Sequence, residues 1–265
     1  MNSPYRPFQS TLTQSGLNSH GLSLMMTPPG AALAGKVYAY LQIKADRSTP
    51  YPVMPDGTQA MYISPHGVIL GGALQQAQDL QLLAAGEYFG LWFYPGGLRH
   101  FVDINLAEIT DQFISAPDLQ CRKFSSLPEL IYRHRGFSER ARAGEAWLMR
   151  QYCPQPVTSF EHALQRIYQS FGNEKVTQLA SAVGWSSRHL NRKFLQYTGL
   201  GTKAFSQVVR VQHAARQLYS QQNKRSDVAL DLGYYDQPHL IKSFKKHLLS
   251  TPSEFMSDLS NRLSP

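Results

Sequence analysis

Apolar positions along this chain change their period once, near residue 105. Before that point they alternate. In "KVYAYLQIKAD", Val37, Ala39, Leu41 and Ile43 interleave with Tyr38, Tyr40 and Gln42, the period of a half-buried strand. "MPDGTQAMYISPHGVILGG" sets turn chemistry, Pro55-Asp56-Gly57 and Ser64-Pro65-His66-Gly67, on both sides of a short apolar strand. "GEYFGLWFYPGG" is an aromatic strand closed by Pro95-Gly96-Gly97. Short strands at this spacing predict a β-barrel or sandwich.

After residue 105 the period becomes helical. Leu106, Ile109 and Phe113 fit one short helix, "SLPELIYRHR" a second with Pro128 in its first turn, and "SERARAGEAWLMRQY" a third with Ser138 as N-cap. "CPQPV" breaks the pattern and predicts a short, stiff linker. The expected division is residues 1–152 for a mainly β domain with following helices, 153–158 for the linker and 159–265 for a helical domain, an α+β chain overall. Phe160, Ala163, Leu164, Ile167, Tyr168 and Phe171 then form a helical stripe ended by Gly172 and Asn173.

Within the helical half one pattern occurs twice. "HLNRKF" begins at His189 and "HLIKSF" at His239. Ala180 stands four residues before Gly184, and Ala229 four before Gly233. The gap from glycine to histidine differs by one residue, which a loop tolerates. Each copy reads as a helix, a glycine turn, a polar cap and a second helix with Leu and Phe four apart. This is helix-turn-helix order, where alanine permits close helix contact and glycine the turn. Helical phase puts Leu190 and Phe194 in the core and Arg188, Asn191, Arg192 and Leu195 on the opposite face, which suits base edges. Ser187, His189 and Lys193 flank that face, where phosphate contact is favoured. In the second copy Leu240 and Phe244 are core, Asp236 is the N-cap, and Pro238, Ile241, Lys242 and Lys245 point outward with Gln237, His239 and Lys246 nearby. Ile241 suits a thymine methyl or partial burial equally. "TKAFSQVVRVQHAARQLY" predicts a connecting helix of roughly 25–30 Å, long enough to hold two recognition helices near the ~34 Å spacing of successive major grooves.

Charge sharpens this division. The net charge is +8, and 14 Lys and Arg against 7 Asp and Glu lie from Gln155 onward. The excess suggests a nucleic-acid-binding half joined to a half with another task, or a basic solvated surface. Cys121 and Cys153 form no zinc-type cluster and suit a reducing compartment. No apolar run reaches membrane-span length and the N-terminus lacks signal-peptide order, so a cytoplasmic protein is expected, with no membrane partner.

The helical half resembles the AraC/XylS family of transcription regulators. Leu179-Ala180…Gly184, Leu190-x-Arg192-x-Phe194, Gly199, Arg210 and Ala214 carry the first part of that resemblance. Ala229…Gly233-Tyr234, Phe244-Lys245-Lys246 and Thr251-Pro252-Ser253-Phe255 carry the second. Leu249-Ser250 replaces the family's usual glycine before the terminal Pro. The resemblance implies base reading by Arg188, Asn191 and Arg192 from the first helix and by Gln237, His239 and Lys242 from the second; the lysine-rich outer face of the second copy, with Lys245 and Lys246, suits the DNA backbone. It implies double-stranded DNA and RNA polymerase as partners, and activation rather than repression. "MPDGTQAMYI" and "FGLWFYPGGLRHFVDINLAEITDQF" are similar to a sensor domain of some members, implying a cupin-like β-barrel followed by helices that often dimerise.

Chemistry in the first half is less directed. Tyr62, Tyr88, Phe89, Trp92, Phe93 and Tyr94 suit either the walls of an effector pocket or the barrel's own packing. Arg99 and His100 suit an anionic ligand or a solvated loop. Trp147, Leu148 and Ala141 suit a dimer stripe or packing on the barrel. His66 and His100 are isolated, so no metal is expected, and no cofactor motif occurs. No catalytic constellation is present, and the chain is read as a regulator rather than an enzyme. Two alternatives stand beside that reading: a DNA-modifying or repair enzyme using Cys121 or Cys153, and a regulator controlled by a protein partner without a small ligand.

Overall fold

The computed structural model describes residues 5–82, 85–119, 122–155, 158–220 and 228–261. A short helix, α1 (Gln14–His20), precedes β1 (Leu22–Thr27), β2 (Val37–Ala45), β3 (Thr49–Val53), β4 (Gln59–Ser64), β5 (Gly67–Gly71), β6 (Gln78–Leu82), β7 (Gly86–Phe93) and β8 (Phe113–Ser115). Six strands form one antiparallel sheet in the order β1-β2-β7-β4-β5-β8, and β3 pairs with β6 in a separate ribbon.

The alternation in β2 predicts one buried face, yet both faces are covered. On one, Tyr40, Met61, Ile63, Phe89 and Leu91 pack against Phe101, Leu127, Ile131, Trp147 and Leu148. On the other, Leu41, Ile43, Tyr62 and Trp92 meet Tyr51 and Leu80 of the ribbon. Aromatic residues between the aliphatic ones carry enough apolar surface to bury the second face as well. The ribbon stacked on the sheet makes the expected cupin-like body, and the chain is α+β.

Three local expectations change. Leu106–Ile109 is one 3-10 turn, and Phe113 starts β8 by pairing with Gly71 of β5. Strand pairing outside the local window thus overrides the helical spacing. The helix α2 (Leu127–Tyr132) has Pro128 in its first turn as expected, whereas α3 (Phe137–Gln151) is capped by Gly136 with Ser138 already inside. Ala141, Trp147 and Leu148 are buried against the barrel and form no free dimer stripe.

The expected linker lies between α3 and α4 (Ser159–Gln169), with residues 156–157 outside the described residues. A capping box of Thr158 and Glu161 starts α4. Phe171 leaves its stripe: φ is 49° there, and the half-exposed ring stacks on His213 at 3.9 Å. The helices α5 (Val176–Ala182), α6 (Ser187–Thr198), α7 (Thr202–Ser220), α8 (Val228–Asp231), α9 (Gln237–Leu248) and α10 (Pro252–Asn261) complete the chain.

Two cores build this half. Phe160, Ile167, Leu179, Leu190, Phe194, Phe205 and Val208 form the first; Val211, Ala215, Leu232, Tyr234, Leu240, Phe244 and Phe255 form the second. Both accept residues from the start of the chain. Tyr5 stacks on Tyr168 at 4.5 Å, and Phe8 joins the second core beside Tyr219. Gln212 locks that segment in place: its Oε1 accepts from the Phe8 N–H at 2.8 Å, and its Nε2 donates to the Phe8 and Pro55 carbonyls.

Candidate DNA-binding interface

The two helix pairs α5–α6 and α8–α9 have the arrangement the repeat predicts. Leu190, Phe194, Leu240 and Phe244 are all buried, so the outer face of each second helix is fixed by geometry. Ser186 caps α6 by accepting the His189 N–H at 3.2 Å. Asp236 caps α9 by accepting the N–H of His239 at 2.8 Å, with Pro238 in the first turn behind it.

Arg188, Asn191 and Arg192 are exposed together on α6, as are Gln237, His239, Lys242, Lys245 and Lys246 on α9. Ile241 is half-buried. Within α6 the side chains are partly organised by contacts among themselves. The His189 ring packs on Trp185 at 4.6 Å, and its Nδ1 lies 3.3 Å from an Arg192 nitrogen. Lys193 donates to Tyr197 Oη at 3.0 Å and lies over that ring. Ser187, at the first turn of α6, is half-buried. On α9, Lys246 donates to Gln207 Oε1 of α7 at 3.1 Å, which leaves Lys242 and Lys245 as the freer cations. Asn191 is also engaged: its Oδ1 accepts the Thr202 N–H at 3.1 Å. Sequence phase alone does not reveal that contact.

Both α6 and α9 end against the β domain. Gln59 Nε2 donates to the Thr198 carbonyl at 3.0 Å, and Thr110 Oγ1 donates to the Gly199 carbonyl at 2.5 Å. His247, in the last turn of α9, is buried; its Nδ1 donates to the Gln75 carbonyl at 2.6 Å, and its carbonyl accepts the Ala77 N–H at 2.8 Å. Burial lowers the His247 pKa below the ordinary histidine value, opposed by the Gln75 bond and reinforced by Lys246. That keeps the ring neutral.

The effector candidates Tyr62, Tyr88, Trp92, Tyr94, Arg99 and His100 do not converge on one space. Tyr62 and Trp92 face a cavity of about 30 Å³ between sheet and ribbon, room for roughly one water. Around it Asp56 accepts from Thr58 and Gln9, and Thr58 Oγ1 accepts from Trp92 Nε1 at 2.7 Å. Burial raises the Asp56 pKa against the pull of those bonds. Tyr88 lies on the same face of the sheet, and Tyr94 packs edge-on against Tyr38. Arg99 points the other way: it pairs with Glu161 of α4 and lies over Tyr197 and Phe160, at 4.2 and 5.0 Å from the ring centres. This is a domain joint rather than an open anion site. His100 is buried beside Tyr152, and desolvation lowers its pKa to about 4, with the Arg99 and Lys36 charges adding to the effect. Among the described residues no cluster of three metal-capable side chains occurs, and no helix is long and apolar enough to cross a membrane. Cys153 is exposed; Cys121 lies outside the described residues.

Known proteins match this architecture by parts. A family model described as a helix-turn-helix domain matches residues 179–258, and one described as a domain of unknown function, DUF6597, matches residues 25–115. An uncharacterized HTH-type transcriptional regulator of Staphylococcus aureus (strain MSSA476) is 30% identical over 83 residues, covering 31% of this chain and 11% of that protein. Another, from Haemophilus influenzae, is 32% identical over 85 residues, covering 32% of this chain and 28% of that protein. The match thus spans well under a third of either relative. Among solved structures, ToxT from Vibrio cholerae is similar with a TM-score of 0.45 and 10% identity, over 90% of this chain and 98% of that one. A score below 0.5 leaves the fold to be read from the strands and helices themselves. The helix-turn-helix match over residues 179–258 takes in both helix pairs, α5–α6 and α8–α9.

Proposed function

We propose that this chain is a sequence-specific DNA-binding transcription regulator, an activator, whose two recognition helices enter successive major grooves. The observation that carries the reading is the pairing of a buried Leu/Phe stripe with an exposed, acid-free polar face on both α6 and α9. Arg188 and Arg192 are the bidentate readers of guanine on the first helix. Gln237, His239 and Lys242 read more loosely on the second. Lys245 is a phosphate contact, as are Ser187, His189, Lys193 and Lys246. RNA polymerase is the partner through which activation would act.

The β domain is proposed as the controlling half. The cavity between its sheet and ribbon is about 30 Å³, which favours control through the joints at Thr198, Gly199 and His247 over a metabolite enclosed there. A small-molecule effector or a protein partner acting on those joints fits this equally, and a homodimer is compatible with it. A DNA-modifying enzyme would instead show alkyl transfer to Cys153 as a mass increase.

Selection of bound duplexes from a random pool tests the reading. The wild-type chain should enrich a two-part site with its halves about ten base pairs apart. Arg192→Ala should lose about 1–3 kcal/mol of discrimination at one base pair, while Lys245→Ala should weaken every sequence alike and reduce the salt slope by about one. Equal binding of all sequences by wild type and Arg192→Ala would remove the assignment.

A further inference from the structure

The helix α7 begins without a capping side chain of its own. Thr202 is its first residue and Gly201 precedes it. The first N–H groups of a helix need outside acceptors. Here the acceptor is Asn191 Oδ1 of α6, 3.1 Å from the Thr202 nitrogen. Since a backbone N–H only donates, the Asn191 atom facing it must be the oxygen, which fixes the amide orientation on chemical grounds.

Gly201 makes the approach possible. A Cβ at that position would lie 2.7 Å from Asn191 Oδ1 and 3.5 Å from Cγ. Gly201 is not among the glycines of positive φ, so its backbone accepts alanine and only the carboxamide would have to move. The second unit lacks the arrangement. Ile241 stands where Asn191 stands in the first, and α10 is capped from within: the Thr251 N–H donates to Glu254 at 2.6 Å, and the Glu254 N–H donates to Thr251 at 3.1 Å.

We infer that Gly201 and the Thr202 N–H set the base preference of Asn191 by holding its oxygen away from the groove. This rests on the reading of α6 as a base-reading helix. A free asparagine recognises adenine by accepting from N6 and donating to N7. Asn191 presents only its two N–H donors. Guanine, with acceptors at both N7 and O6, matches them; adenine leaves its N6 amino group without a partner. Asn191 therefore selects guanine over adenine, and Gly201 is a positioning residue for specificity without touching DNA.

Site selection with the full-length chain tests this. The base pair whose preference changes in Asn191→Ala identifies what Asn191 faces. Wild type should prefer guanine over adenine there by about tenfold. Gly201→Ala should turn the same position towards adenine. Asn191→Asp keeps an acceptor for Thr202 but has no donor, so it should stay as stable as wild type and lose the guanine preference. A wild-type preference for adenine, or a Gly201→Ala preference identical to wild type, overturns the inference. If Arg192→Ala changes one base pair and Asn191→Ala none, the inference fails and α6 remains a DNA reader. If wild type selects no sequence at all, the DNA-binding reading itself fails.

Discussion

The helix α6 ends on Gly199 and α9 on Leu249, both in the left-handed region with φ of 81° and 58°. Glycine is required at the first. A Cβ there would lie 2.8 Å from the Leu106 carbonyl oxygen and 3.0 Å from Thr110 Oγ1, inside the joint with the β domain. Leu249 is 65% exposed, and α9 meets the β domain through His247, two residues earlier. Two copies of one motif are thus docked differently: the first by its helix end, the second by a buried imidazole. A side chain is tolerated at the second position because Leu249 stands largely in solvent there.

This contrast makes three predictions. Gly199→Ala combines a disfavoured φ with a backbone clash and should cost about 2–3 kcal/mol, read as a lower thermal midpoint; a loss no larger than that of a surface alanine would mean the joint is not tight. Acid should act on the second joint more than the first. His247 is neutral when folded because burial lowers its pKa, so the stability it contributes is present above the ordinary histidine pKa of ~6.5 and is lost as pH falls below it. Gln59 and Thr110, which hold the first joint, do not titrate in this range. His247→Gln should flatten the fall of thermal stability between neutral and mildly acidic pH, leaving the parts due to His100, whose pKa is near 4, and to His213, whose pKa burial also lowers. An unchanged slope would sever His247 from the effect. The smallest effect is Leu249→Gly, which relieves left-handed strain but adds freedom to the unfolded chain, for a net gain of about 0.5 kcal/mol. A clear loss of stability would show that the exposed leucine has a hidden contact.

What was legible in the sequence was local. Leu190 with Phe194, and Leu240 with Phe244, declare a buried face at a separation of four residues, and the caps at Ser186 and Asp236 act over three. The ribbon was not legible, since Pro50 and Pro52 argue against a strand in "TPYPV". Proline is tolerated there because β3 pairs on one side only, with β6. The roles of Arg99, His100 and Asn191 were equally hidden. Each depends on a residue that returns from elsewhere in the chain: Glu161 for Arg99, Tyr152 for His100, and Thr202 for Asn191. Alternation also could not show that β2 is covered twice, because the second cover comes from Tyr51 and Leu80.

Phe8 and Gln212 stand 204 residues apart in the chain and are joined by two hydrogen bonds. On a ribosome adding ~5–20 residues per second, Phe8 therefore waits about 10–40 seconds for its partner to be made. During that interval Tyr5 and Phe8 have no core to enter, and the second helix pair cannot close until the last helices emerge. The core of the second helix pair is thus completed by a residue made long before its own helices.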